Sequence, residues 1–470
     1  MRTETSSAPA TSKVRRLAMG GKRAQGRDLQ RDGRRVRRAD VRGIHVGKPD
    51  PRVSGVGGLV EFNGFTQRIG LGRELSLRFA HLKSGRHVAY PMAAQMQLFV
   101  DAIVAGASRV FGLEMLASDP IFTRLAGGYV PSVDTLYRDL ARLRDVDLES
   151  LEELLASQAG PIAAAKGGAM QEEFIDIDTT VTVVFGDQEG ALAGPNPRYH
   201  GRPSFHPILA RLAKTDAIIG ARLRPGDTGL GEGDVEDVVK WIERARSALG
   251  ESTILTARVD AGGDCAALMA GIAGAGALFV IKAKKDARLI GAIASEHTKW
   301  TTVDRDADGR PSRQIAELDF RRDDWPTDPG RRIRVIAMRT NERHSGEQVC
   351  LWPDLDLSVS AYITNDLHRH PDALARLYDD RAGIETVIGD LKSAFGIGKH
   401  SSASFEANET AFLLKMLAYN LVRRFVCEVH PVLRDWRMHW IRRALITIPG
   451  RLLRAEGRWL LRLAPRPMLN

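Results

Sequence analysis

The sequence predicts an α/β protein whose central layer alternates strands and helices, carries an antiparallel β-rich insertion and is flanked by helical regions. Three observations predict this. Apolar residues recur at helical spacing from about Gly58 to Leu155. The pattern changes to period two, with β-branched residues, from Phe174. Helical spacing then returns at about Pro371.

Residues 1–48 hold few large apolar side chains and the clusters Arg15-Arg16, Arg34-Arg35 and Arg37-Arg38, which predicts a disordered basic tail. In the helical stretch 49–165, turns are expected at Gly70-Leu71-Gly72, Gly112 and Gly127-Gly128. Pro131 and a capping Ser132 open a helix through Leu140, Leu143 and Leu151. This stretch fits a helix-turn-helix module or an ordinary helical domain. Phe174–Phe185 is the clearest strand in the chain, and strands at Ile208–Leu212 and Ala217–Leu223 follow. Next come a helix capped by Asp234 and stopped by Gly250, a strand Thr253–Val259 running into Asp260, a small helix, and a buried strand Leu278–Ile281. Residues 297–365 read as short strands with turns at Asp306–Arg310, Thr327–Arg331 and Asn341–Gly346, ending in Ser358–Thr364. From Pro371 the helical pattern is expected to run to the C-terminus.

Charge is unevenly placed. The 68 Lys+Arg and 58 Asp+Glu give a net +10, and residues 1–48 alone hold 14 of those cations against 4 acids. Residues 421–470 hold 11 Arg and 3 acids, so an acidic middle lies between two basic ends. Basic ends suit phosphates and an acidic centre suits metal cations; the plainer reading is a solvated tail and an Arg-rich surface helix. Three cysteines, Cys265, Cys350 and Cys427, match no close-spaced metal pattern. No apolar run of about 18 residues and no apolar stretch behind the basic N-terminus occurs, so neither membrane span nor secretory signal is expected. A cytoplasmic location is expected.

The chemistry concentrates in acids. Asp176 and Asp178 share one face of an otherwise apolar strand, which is costly unless they are paired or bind a cation. Asp260 ends a strand, the usual place for α/β sites. On the helix from Pro371, Tyr378, Arg381, Glu385 and Lys392 fall within an arc of about 60° at ~100° per residue, beside the apolar face. That stripe fits a cleft under a nucleic-acid strand; Arg381 and Glu385 at i,i+4 also fit an ordinary helix salt bridge. His200 and His206 fit DNA contacts or turn roles. Trp300 and Trp325 read as core rather than as a base-holding site.

Tyr378-x2-Arg381-x3-Glu385-x6-Lys392 resembles the signature of DDE transposases of the Tn-five-like, IS4-like group of bacterial insertion sequences. Asp178-Thr179 resembles that group's first acid, Arg258-x-Asp260-x-Gly262 its second, and Tyr362-Ile363-Thr364-Asn365 the strand leading to its Glu helix. The stretch Gln188-Glu189-Gly190 to His200-Gly201-Arg202-Pro203, with Arg224-Pro225-Gly226, resembles one branch of the group. The chain departs at Asp260-Ala261-Gly262-Gly263, where related sequences carry Ser-Gly-Phe or Tyr.

The resemblance implies an RNase H-like catalytic core in two parts, 166–296 and 366–400, with the β-rich insertion 297–365 between the second Asp and the Glu. A helical DNA-binding domain, 49–165, would precede it and a helical basic region, 401–470, would follow. Asp178, Asp260 and Glu385 are the implied catalytic metal ligands, holding two Mg²⁺ for which Mn²⁺ substitutes. Tyr378, Arg381, Lys392, Arg202 and His200 are the implied DNA contacts. Terminal inverted repeats and target DNA are the implied partners of a homodimeric synaptic complex in the bacterial cytoplasm, associated with the nucleoid. The rival readings are an RNase H-like nuclease without strand transfer and a catalytically degenerate DNA-binding protein.

Overall fold

The computed structural model describes residues 44–168, 170–194, 200–325, 332–341 and 357–465. A two-residue strand β1 (Val53–Ser54) leads into helices α1 (Leu59–Arg68), α2 (Leu71–Phe79), α3 (Met92–Ala105), α4 (Gly112–Leu116), α5 (Pro120–Leu125), α6 (Val133–Leu140), α7 (Asp145–Ala156) and α8 (Ala159–Lys166). Leu71, Leu75 and Phe79 are buried at i,i+4 spacing on α2, and Gly70, at φ 75°, makes the left-handed turn from α1. Ser132 caps α6 as expected, its Oγ accepting from Thr135 N at 3.2 Å. Gly112, expected in a turn, instead opens α4; a Cβ there would lie 2.7 Å from Ala107 Cβ.

The central strands are β2 (Glu172–Thr179), β3 (Thr182–Val183), β4 (Leu192–Ala193), β5 (Pro203–Phe205), β6 (Ile208–Leu212) and β7 (Ala217–Arg222). After them come α9 (Val235–Leu249), β8 (Ile254–Val259), α10 (Ala266–Gly274), β9 (Leu278–Lys282) and α11 (Ala287–Ala294). Strands β10 (Thr301–Arg305), β11 (Pro311–Leu318), β12 (Arg334–Asn341) and β13 (Leu357–Thr364) complete the β-rich part. Among the described residues, nine strands form one mixed sheet in the order β10-β11-β12-β13-β9-β8-β2-β6-β7. Its heart, β2-β8-β9, is parallel, whereas β6, β7 and β13 run antiparallel to their neighbours. The β-rich insertion thus extends the central sheet through β13 rather than forming a sheet of its own.

Two expectations need correction here. The strand expected to run to Phe185 leaves the sheet after Thr179, because Thr180 N turns to Pro207 O at 2.9 Å, and β3 joins a small sheet with β5 and β4. Asp234 does not cap α9 with its side chain. Arg224 claims that carboxylate, and Gly231 N donates to it at 3.0 Å.

The C-terminal third contains α12 (Pro371–Asp379), α13 (Gly383–Ala394), α14 (Phe405–Val429) and α15 (Met438–Ile441). Helix α14 is buried along most of its length and packs on α3, α7 and α8. Phe425 meets Phe62 edge-on at 5.6 Å, so the N-terminal and C-terminal helices share one apolar core. The helical pattern does not persist to the C-terminus: β14 (Gly450–Ala455) and β15 (Arg458–Leu463) form a hairpin that pairs with β1. Glu456 and Gly457 both adopt positive φ, the two-residue turn that matches strand twist. Among the described residues no helix is long and apolar enough to cross a membrane. Residues 1–43, the turn expected at Thr327–Arg331, most of that at Asn341–Gly346, and Cys350 lie outside the described residues.

Candidate active site

Side-chain alternation along β2 divides its residues between two layers. Ile175 and Ile177 enter the apolar core with Trp241 and Ile242 of α9 and Leu268 of α10. Asp176 and Asp178 therefore face the other layer, toward α12 and α13. There the two acids part ways. Asp176 is fully buried and clamped by Arg258, whose Nε donates to Oδ1 at 2.6 Å and Nη2 to Oδ2 at 2.9 Å. Arg258 also donates to Leu377 O at 2.7 Å, tying β8 and β2 to the end of α12. Asp176 is a structural anchor.

Asp178 is half-buried at the strand's end. The parallel register pairs Asp176 with Arg258 and Ile177 with Val259, so the next residues in step are Asp178 and Asp260. Adjacent strands lie about 4.8 Å apart, which sets the two carboxylates side by side. Burial pushes the Asp178 carboxyl above its usual range, and Asp260 adds to that push while Arg381 opposes it. Asp260 caps a single helical turn, Oδ1 accepting from Gly262 N at 2.9 Å. The departure at this turn has a steric reason: a Cβ on Gly263 would lie 2.4 Å from Val259 Cγ1.

Tyr378, Arg381, Glu385 and Lys392 lie on one run of helical residues, 371–394, that tightens to a 3₁₀ turn midway. Tyr378 is on α12, Arg381 on a tight turn Asp380–Ala382, and Glu385 and Lys392 on α13. That turn drives Arg381 inward. Its Nη2 donates to Ile177 O at 3.0 Å and lies 3.1 Å from Asp178 Oδ1, while Nε is buried with no partner among the described residues. Burial works against the guanidinium charge, but Asp178, Tyr378 and Asp260 outweigh it. Tyr378 is half-buried against Tyr362, ring centres 4.8 Å apart, and burial pushes its hydroxyl up to about 12. Lys392 Nζ donates to Val181 O at 3.2 Å, just past the end of β2. Arg381 and Lys392 thus hold α13 along the end of β2, with Glu385 one turn beyond Arg381. Glu385 is exposed and makes no ion pair or hydrogen bond among the described residues. Among those residues no group of three His, Cys, Asp or Glu is gathered closely enough to hold a metal. Asp178, Asp260 and Arg381 are brought together; Glu385 stands apart.

A family profile described as "Transposase DDE domain group 1" matches residues 36–467. The chain belongs to that family. DDE transposases are metal-dependent enzymes of phosphodiester cleavage and transposition, and this chain is one. Among solved structures, the transposase is similar to a piggyBac transposase in a synaptic complex with hairpin DNA, seen by cryo-EM. Identity is 9%, the match covers 82% of this chain and 78% of that one, and the TM-score is 0.45. No curated protein matches the transposase.

His200 and Arg202 sit at the surface beside the small sheet, Arg202 with its guanidinium 5.7 Å from the Phe185 ring centre. Neither is in contact with the aspartate pair. The Arg224-Pro225-Gly226 stretch of the transposase is structural: a Cβ on Gly226 would lie 2.0 Å from Leu192 O. Two residues near the acids take places that the sequence did not specify. His206 bonds Thr179 Oγ1 at 3.1 Å, next to Asp178. Arg258 was legible only as a motif residue; an Arg inside the apolar run Leu255–Val259 demands a buried partner, and that was the available sign.

Proposed function

We propose that the transposase cuts DNA at the ends of a bacterial insertion sequence and joins the freed 3′-hydroxyls to target DNA. One observation carries the reading. The register sets Asp178 beside Asp260 at the C-terminal ends of adjacent parallel strands, with Arg381 of the Tyr-Arg-Glu-Lys signature against them. The sheet segment β7-β6-β2-β8-β9, in which β6 runs against the other four strands, supports an RNase H-like core.

Two adjacent, partly desolvated carboxylates, Asp178 and Asp260, suit a hard divalent cation; Glu385, which stands apart from them and has no partner among the described residues, is the third acid of the signature. Asp178, Asp260 and Glu385 would hold Mg²⁺, with Mn²⁺ as substitute. Bound there, the ions would acidify the attacking water or hydroxyl and neutralise charge on the scissile phosphate. The chain's own cations do the positioning. Arg381 and Lys392 flank the acids and would engage phosphates of the end DNA, with Tyr378 against the same strand and Arg202 and His200 on the loop beyond. Hydrolysis leaves a 3′-hydroxyl on the element. That hydroxyl attacks a target phosphodiester, expelling the target's own 3′-oxygen, so each bond broken is matched by one formed. A homodimer would synapse two ends within the bacterial cytoplasm.

Glu385→Gln tests the assignment, since it keeps volume and removes charge. End cleavage should fall by several orders of magnitude while DNA binding persists, and Asp178→Asn and Asp260→Asn should match it. Near-normal cleavage by Glu385→Gln would remove it from the site. Hydrolysis of ends without joining to a second duplex would favour a nuclease.

A further inference from the structure

The hairpin β14–β15 stands at the edge of the molecule. Strand β1 pairs with β14, so β15 is the outer strand. Cross-strand pairs Arg451↔Arg462, Leu453↔Leu460 and Ala455↔Arg458 share one face; Leu452↔Leu461 and Arg454↔Trp459 share the other. The second face is anchored to the body: Leu452 is buried, and the Arg124 guanidinium lies 4.1 Å from the Trp459 ring centre. The first face is open. Arg451, Arg458 and Arg462 are all exposed on it. Arg451 reaches Asp50 at 3.0 Å, but Arg458 and Arg462 have no acid within salt-bridge range among the described residues.

We propose that this ribbon is a DNA-binding element of the transposase, laying its arginine face on the phosphates that border a duplex groove. The inference rests on the reading that the chain acts on DNA. Like charges directly opposite each other, as in Arg451↔Arg462, destabilise a strand pair; Asp50 offsets Arg451, and among the described residues no acid offsets Arg462. Arginine forks match phosphate oxygens two at a time, and a two-stranded ribbon is narrow enough for the major groove, about 12 Å wide. The positive-φ turn at Glu456-Gly457 closes the ribbon in two residues. A rival role exists for the same residues: charged side chains guard an outer strand against pairing with another chain.

The test uses the full chain and a mixed-sequence duplex titrated across a KCl series. The double variant Arg458→Gln/Arg462→Gln should flatten the slope of log affinity against log salt by about 1.8, from roughly 0.9 per phosphate contact. Arg458→Lys/Arg462→Lys should keep most of that slope. If wild type binds while the Gln double variant keeps the wild-type slope, the ribbon is overturned and the DNA reading stands. If wild type binds no duplex, both fall. A double variant that self-associates in sedimentation with its slope intact would make the arginines edge guards and overturn the proposal. Should the double variant lose its thermal midpoint, a photo-crosslinking amino acid at Leu460 in the otherwise unaltered chain decides: crosslinks to the duplex support the ribbon, and none overturns it.

Discussion

Asp176 and Asp178 are the same residue type two positions apart on one strand, yet their surroundings give them opposite work. Arg258 closes on Asp176 in a fully buried pair, with Arg211 at 3.5 Å behind it. Asp178 keeps one edge toward solvent and toward Asp260. Asp176→Asn should therefore fail by unfolding, because it strands the buried Arg258 charge. Urea denaturation should show a loss of about 3–5 kcal/mol, the usual cost of breaking a buried pair from one side. Asp178→Asn should leave the urea midpoint near wild type while abolishing cleavage. If the two variants lose equal stability, the division between anchor and site is wrong. The sequence marked both acids as costly in an apolar strand, and resemblance pointed to Asp178. What it could not give was the partner, since Arg258 is 82 residues away and meets Asp176 only through strand register.

Among elements, α14 holds another buried acid. Glu409 lies in the helical core, and burial raises its carboxyl from 4.5 to about 7, with Arg222 opposing. A raised carboxyl pKa means the folded state favours the protonated form. Its contribution to stability is full below about 4.5 and is lost as pH climbs through about 7. Glu409→Gln should gain on wild type over that window, by ~1.4 kcal/mol per pH unit at most, and hold a constant lead above it. Thermal melts from acid to neutral pH check this; a difference that does not change with pH would mean Glu409 is not desolvated as described. Two other elements escaped the periodicity. The expected α-helix from Pro371 tightens to 3₁₀ at Asp380–Ala382, where Arg381 meets Ile177 O and Asp178. The C-terminal segment has Arg and Leu at spacings compatible with either helix or strand; pairing with β1 and a left-handed Glu456-Gly457 turn select the strand.

At the scale of the whole molecule, β1 lies against the C-terminal ribbon. Val53 of β1 pairs with Arg451 of β14, so the segment following the Arg-rich residues 1–48 joins the same three-stranded sheet as the C-terminal ribbon. Deleting residues 1–48 removes 14 cations. Binding to duplex DNA should weaken and its salt slope should flatten. Combining the deletion with Arg458→Gln/Arg462→Gln should flatten it further, as expected for separate phosphate contacts. An unchanged slope after the deletion would remove the tail from the interface.

The sequence by itself determined the local elements of the central layer, because period-two alternation and turn residues are short-range properties. It also fixed the spacing of the Tyr-Arg-Glu-Lys signature and the surplus of charge at both ends. Tertiary structure decided which acids become neighbours, because Asp178 and Asp260 are joined by a parallel register that no local pattern encodes. It likewise decided that the N-terminal and C-terminal helices form one core and that strands β10–β13 continue the sheet. Those outcomes depend on burying surfaces hundreds of residues apart, where the free energy belongs to the pair and to neither segment alone.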